Sequence, residues 1–259
     1  MKRTTLLACT IAVLLTITSC NKGLILQGTL TNGGNKTIYI EELIPHDEPL
    51  LIDSLQLGPD GSFRLKHAVP YTTFYNVHVS PQDYVVLLVS PGDRITINGD
   101  YDHLSTSYTV EGSDGTRLLW DLQDFSNIGV EELKEIVALN EHNKSTLSAD
   151  SYEKAKQETD SLYRESFFKQ RDYVLRFINN NRGSLTTLIA LYKPFNVNHP
   201  LIRPERDFEV YESVLDGLEH NPKLKSNPHV MHFRTTVEQY RYLYGISDYN
   251  PAEENEETK

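Results

Sequence analysis

Cysteine is nearly absent from this sequence: Cys9 and Cys20 are the only two in 259 residues. That scarcity excludes a disulfide framework, and no Cys-x-x-Cys dithiol is present. Long apolar stretches are missing too, since the one apolar run, 6–17, falls short of the ~20 residues that cross a bilayer. Basic residues are in deficit, with 25 Lys and Arg against 36 Asp and Glu and a formal net charge of −11. This balance argues against a nucleic-acid partner, whose phosphates are met mainly by basic side chains. It argues equally against electrostatic adhesion to anionic lipid head groups. There is no phosphate-cradling Gly-x-x-x-x-Gly-Lys, no dinucleotide fingerprint and no Gly-x-Ser-x-Gly elbow. The expectation is a chain with no catalytic, metal-binding or cofactor-binding residues.

What the N-terminus does have is an address. Lys2 and Arg3 precede the apolar run, which ends in Ile17-Thr18-Ser19-Cys20. A short cationic segment, a short apolar segment and small residues before a cleavage point form a signal peptide, and the last four residues resemble the lipobox of bacterial lipoproteins. In that reading Ile17, Thr18 and Ser19 are recognised by the signal peptidase, and Cys20 takes the diacylglycerol thioether and becomes the first mature residue. Several acyl chains, at ~0.8 kcal/mol per buried methylene, hold a protein firmly to a membrane. Cleavage removes Cys9, leaves no free thiol, and shifts the charge from −11 to −13 because the leader carries two cations and no anion. About 240 residues remain, enough to bury a sizeable core without cross-links.

The body changes period near residue 113. Segments 24–31, 37–42, 50–57, 62–66, 74–79, 84–89, 94–97 and 107–110 are short and rich in β-branched or aromatic residues. They are separated by turn chemistry at Asn32-Gly33-Gly34, Pro59-Asp60-Gly61, Pro91-Gly92-Asp93 and Gly112-Ser113. In 62–66 only Phe63 and Leu65 are apolar, which predicts a strand with one wet face. Segment 84–89 is apolar almost throughout and is expected to be central. After Asp114, Leu118, Leu119, Leu122 and Phe125 fit one helical face, and Leu133, Ile136 and Val137 begin a second helix. From Tyr152 to Phe177 apolar residues recur at steps of three and four, predicting a long amphipathic helix. Further helices follow at 184–192, 206–218 and 230–244 between proline-bearing linkers. The predicted fold class is α+β: an antiparallel β-sandwich over 24–112 and a helical domain over 113–246. Residues 1–19 are the signal peptide, 20–23 a lipidated linker, and 247–259 an acidic tail expected to be disordered.

Gly28, Tyr39-Ile40-Glu41, Asp53-Ser54, Asp60-Gly61-Ser62-Phe63, Phe74-Tyr75, Pro91-Gly92-Asp93-Arg94-Ile95 and Gly112-Ser113 occur in an order that resembles the domain of unknown function 4369. That domain occurs in lipoproteins of Bacteroidetes, usually followed by a helical segment and then by a thioredoxin-like thiol-disulfide oxidoreductase domain. The resemblance covers nearly all of the mature chain. It implies the accessory half of a redox lipoprotein. Redox activity does not carry over, because thiol-disulfide exchange needs a thiolate that this sequence does not supply.

Other candidate residues have plainer readings. His229 and His232 share a helical face, but zinc wants three or four ligands and a surface or packing role is expected. His46-Asp47-Glu48 reads as a solvated loop. Asp53-Ser54 has no base beside it, and Pro91-Gly92-Asp93 reads as a turn. The 15 tyrosines and Trp120 fall mostly on apolar stripes, although exposed coplanar rings on one sheet face would mark a glycan-binding surface. The expected function is a non-catalytic envelope module that contacts a protein partner. Carbohydrate binding, or service to a separate thioredoxin-like enzyme, are the alternatives. Asn21-Lys22-Gly23 lacks the acidic cluster that resembles a surface-export signal, so the expected place is the outer membrane, facing the periplasm. Replacing Cys20 with Ala should leave uncleaved precursor or release the protein from membranes. Unchanged fatty-acid labelling and membrane fractionation of Cys20→Ala would sink the lipid-anchor expectation.

Overall fold

The computed structural model describes residues 23–45 and 47–245. Residues 1–22, which include Ile17, Thr18, Ser19 and Cys20 and the expected signal peptide, His46, and residues 246–259, which include the expected tail, lie outside the described residues. The chain is α+β, with sheets of mainly antiparallel strands followed by helices. Its strands are β1 (Gly23–Thr31), β2 (Thr37–Leu43), β3 (Leu50–Gln56), β4 (Ser62–Ala68), β5 (Thr73–Ser80), β6 (Asp83–Val89), β7 (Arg94–Asp100) and β8 (Thr109–Glu111), then a small hairpin of β9 (Pro194–Asn196) and β10 (His199–Pro200). The helices are a short α1 (Leu104–Ser107), α2 (Asp114–Thr146), α3 (Ala149–Asn180), α4 (Thr186–Leu191), α5 (Phe208–Glu219) and α6 (Pro228–Leu243).

The eight expected strands form two four-stranded sheets, in the orders β4-β1-β7-β8 and β3-β2-β5-β6, so β6, expected to be central, is instead an edge strand. It is apolar because both its faces are buried, Val85 and Leu87 in one cluster and Leu88 in the other. Alternation decides which side chains turn inward. Leu24 and Leu26 of β1, Ile38 and Ile40 of β2, Phe63 and Leu65 of β4, Val77 of β5, Val85 and Leu87 of β6, and Ile95 and Ile97 of β7 join one apolar cluster drawn from both sheets. The expectation of antiparallel pairing throughout fails at one place: β1 and β7 run parallel, with Ile25 opposite Arg94 and Thr31 opposite Asp100. Parallel neighbours need a long crossover. Here the crossover is β2 to β6, and it includes the whole second sheet. The parallel pair closes tightly at Gly28, where a Cβ would lie 1.6 Å from the Ile97 carbonyl oxygen.

One end of the outer face of the second sheet is covered by helices. Phe74 of β5 and Leu88 of β6 belong to a second cluster with Leu119 and Leu122 of α2, Val174 and Phe177 of α3, Leu188 of α4, Tyr211 and Leu218 of α5, and Val230 and Phe233 of α6. The expected change of period at residue 113 is thus a change of element type, while packing runs across it. The two expected helices over 118–125 and 133–140 are one helix, α2. Gly129 in its middle is no break. A Cβ there would come within 2.5 Å of the Gln170 side chain of α3, so the glycine lets the two long helices meet. Among the described residues the buried members of both apolar clusters lie within residues 24–237 and their packed neighbours reach Tyr240, so a chain of residues 21–259 keeps all of these side chains.

Gly28→Ala should cost on the order of 3 kcal/mol or more, since backbone rather than a flexible side chain must move. Gly92→Ala has open space around it and only a positive φ of 93° to oppose it, a cost of about 1–2 kcal/mol. Urea unfolding of the two variants measures the difference. Equal midpoints would refute the close approach of β1 and β7.

Candidate functional site

Between the covered and uncovered halves of the second sheet's outer face lies a cavity of about 490 Å³. Its sheet wall is Leu43, Phe74, Tyr84 and Val86, and its helical wall is Leu119, Leu122, Leu188, Ile189 and Phe233. A volume of this size falls within the ~300–1,000 Å³ of small-molecule sites. Among the described residues lining it, no Asp or Glu occurs, although the chain carries 36 of them. The polar or amphipathic side chains among its lining residues are Tyr84, Tyr108, Gln123, Tyr192, Lys193, His229 and His232.

Lys193 owes its place to the end of α4. That helix is buried on almost every side, with Leu188, Ala190 and Leu191 all in the core. Pro194 then turns the chain into β9, the Lys193 amide donates to the Ala190 carbonyl at 3.1 Å, and the Leu201 amide donates to the Lys193 carbonyl at 3.2 Å. The ammonium donates to Gln123 Oε1 at 2.7 Å, and Gln123 Nε2 donates in turn to Asn127 Oδ1 at 2.8 Å. A neutral amide is thus its hydrogen-bond partner, and among the described residues it forms no ion pair. Burial pushes its pKa down to about 8, because removal from water penalises the charged form.

His229 is 8% exposed and holds the sheet to α6. Its Nε2 lies 3.0 Å from Thr73 Oγ1, and its ring packs edge-on to Phe74 with centroids 5.0 Å apart. Asn227 caps α6 by accepting from the His229 amide at 3.0 Å, and its Nδ2 donates to the Thr72 carbonyl at 2.6 Å. The expected packing role of His229 is what the geometry displays. His232 also lines the cavity, and its Nε2 approaches Thr236 Oγ1 at 3.4 Å. Among the described residues no three His, Cys, Asp or Glu side chains come together to hold a metal ion.

The remaining sequence candidates scatter. Asp53 Oδ1 accepts from the Ser54 amide at 2.8 Å beside a bulge where β2 and β3 slip register. Asp47 Oδ1 accepts from the Glu48 amide at 2.8 Å. Asp93 Oδ2 accepts from the Ser90 amide at 2.9 Å and closes the Pro91-Gly92 turn. Trp120 packs on the inner cluster and donates through Nε1 to the Tyr108 carbonyl at 2.8 Å. Tyr39, His78 and Tyr84 lie side by side across β2, β5 and β6. Tyr39 stacks face-on against His78 with centroids 5.3 Å apart, so one of its faces is already covered. Sequence reasoning missed Lys193 and Gln123 altogether. The one available signal was a lysine set between a short, mostly apolar helix and a proline. No family model matches the chain, and no curated protein or solved structure matches it either.

His229 makes the fold acid-sensitive. Burial, with a lesser contribution from His232, lowers its pKa to about 4 from an ordinary 6.5. The unfolded chain therefore takes up the proton first as pH falls. Stability is fully present above about pH 6.5 and lost progressively towards pH 4, by roughly 3 kcal/mol for the one group. In His229→Gln the loss of stability between about pH 7 and pH 4.5 should be visibly shallower, read as urea midpoints at each pH. Parallel pH profiles for variant and parent would contradict the assignment.

Proposed function

We propose that this chain is a non-catalytic lipoprotein of the cell envelope that binds a small ligand in the cavity between sheet and helices. In that reading residues 24–112 form a β-sandwich, residues 113–246 a helical domain closing over it, and Cys20 carries the lipid that holds both to the outer membrane on its periplasmic side. The observation that carries the binding reading is the cavity itself: apolar walls with a few convergent polar groups, the usual make-up of a ligand site. Its polar side chains favour holding over transforming. His229 is committed to Thr73 and Lys193 to Gln123, and neither pair offers a nucleophile with a base and an oxyanion site.

A binding module of this kind suits the accessory half of a redox lipoprotein, which the ordered turn residues resemble, and would serve an envelope protein partner such as a separate thioredoxin-like enzyme. The glycan alternative has one feature in its favour, the row of Tyr39, His78 and Tyr84, with Tyr39 39% and Tyr84 47% exposed. Rings stacked on one another offer a sugar less face than rings lying side by side.

The neutral apolar fluorophore N-phenyl-1-naphthylamine tests the cavity in the chain of residues 21–259. Saturable binding should be seen. It should vanish in Val86→Trp, which fills the cavity from the sheet wall and should leave the thermal unfolding midpoint within a few degrees. Equal binding by a folded Val86→Trp would place the ligand elsewhere and remove the basis for this function.

A further inference from the structure

We propose that the ligand is a single-headed anionic amphiphile, a monocarboxylate on a linear alkyl chain, whose head pairs with the Lys193 ammonium while its chain lies along Val86, Leu119, Leu122 and Ile189. This rests on the cavity being a binding site and adds the chemistry of what fills it. The first ground is charge. A chain with a formal charge of −11 brings acidic residues almost everywhere, yet the described wall of this cavity has none and has one lysine. A cation withdrawn from water without a counterion is costly, and Gln123 Oε1 supplies only a dipole. A carboxylate brought by a ligand would supply the missing charge.

The second ground is the number of such groups. Among the described residues lining it, the cavity presents one ammonium, no arginine and the two imidazoles of His229 and His232, and His229 is a buried ring that stays neutral at ordinary pH and is engaged by Thr73. Phosphate and other polyanionic heads are usually met by guanidinium forks or several cations. One ammonium with a neighbouring amide suits one carboxylate. The third ground is the rest of the wall. Aliphatic side chains from β6, α2 and α4 surround the space, which suits a hydrocarbon better than a sugar or a peptide, each of which carries polar groups along its length.

Lys193 and Gln123 also explain how such a head would be oriented. Asn127 accepts from Gln123 Nε2 and so turns Oε1 towards the ammonium. The lysine is therefore held extended into the space before any ligand arrives, and little side-chain freedom remains to be lost on binding.

Calorimetric titration of the chain of residues 21–259 with decanoate, decanol and decylamine, each below its micellar concentration, separates the possibilities. Decanoate should bind about ten-fold or more tighter than decanol, the size of one charge-assisted contact, and decylamine should bind most weakly. Lys193→Met should bring decanoate down to the level of decanol and leave decanol within about two-fold of the parent. Lys193→Arg should keep the preference for carboxylate. Decanol binding as tightly as decanoate, or a carboxylate preference that survives in Lys193→Met, would overturn the inference and leave the cavity a binding site. Failure of all three compounds to bind a protein that unfolds cooperatively would overturn the inference and the binding function together.

Discussion

The carbonyl oxygen of Leu88 is the point on which the two halves of this molecule turn. It belongs to β6, the end strand of the second sheet, and accepts from Thr116 Oγ1 at 2.8 Å and from Ser113 Oγ at 3.2 Å. Ser113 Oγ also accepts from the Thr116 amide at 3.4 Å and so caps α2. Between these residues Gly115 lies so close to the Leu88 side chain that a Cβ would come within 2.7 Å of it. One turn of helix is thus docked by two hydroxyls and a missing side chain, and the direction of α2 is set by where β6 lies. Everything after residue 113 inherits that direction: α3 packs back along α2, α4 tucks into the space between them and the sheet, and α6 returns to β5 through Asn227 and His229. A helix placed by its first turn over some 33 residues magnifies any error in that turn. Buried hydrogen bonds, which tolerate little change in distance or angle, suit this position better than apolar contact alone.

The cavity follows from the same geometry. Phe74 and Leu88 are covered, while the other end of the same face, with Tyr39, Glu41, His78 and Tyr84, is not. At the border between the covered and uncovered rows, residues of β2, β5, β6, α2, α4 and α6 meet. Rods crossing a twisted sheet cannot fill such a corner with side chains of ordinary length, and a space remains. Because α4 ends there, the two residues just past its last turn, Tyr192 and Lys193, line that space. Burial of a lysine stem with a solvated head is common. A partly buried lysine in a cavity wall whose head bonds an uncharged side chain is not, and it gives the corner its chemical character.

Much of this was legible in the sequence, and what was not has definable causes. The eight strands were readable because their turns use residues with few other purposes, Pro59-Asp60-Gly61 and Pro91-Gly92-Asp93 among them, and because Phe63 and Leu65 alternate with charge. Strand direction was not readable. Alternation has the same period whether a neighbour runs parallel or antiparallel, so nothing in 24–31 or 94–97 reveals that β1 and β7 share a heading. Gly28 shows the same limit from the other side: its place in the first strand was visible, but its reason is the Ile97 carbonyl, nearly seventy positions away. Gly129 could be read as a break because a glycine weakens a helix, whereas its partner Gln170 belongs to another helix. Lys193 was hidden most completely. A lysine is normally a surface residue, and only the arrival of α2 against α4 turns this one into part of a site.

The corner is held from the far side by an ion pair. Arg171 of α3 donates through both guanidinium nitrogens to Asp207, at 2.6 and 2.9 Å, and Nη1 also donates to the Leu201 carbonyl at 2.7 Å. Burial alone would raise the Asp207 pKa, but the bonds from Arg171 and the Arg203 amide outweigh it and hold the carboxyl below its ordinary value. Asp207 is 7% exposed, so the pair is worth little as net stability, since desolvating two charges offsets most of their attraction. Its effect is positional. Leu201 receives Arg171 on its carbonyl and sends its own amide to the Lys193 carbonyl. A line of directed bonds therefore runs from Asp207 through Arg171 and Leu201 to the backbone of Lys193. Apolar packing would let that hairpin slide, whereas a bidentate pair with fixed bond directions does not. The residue that gives the cavity its charge is thus aimed by a second, deeper pair of charges that never touches the cavity.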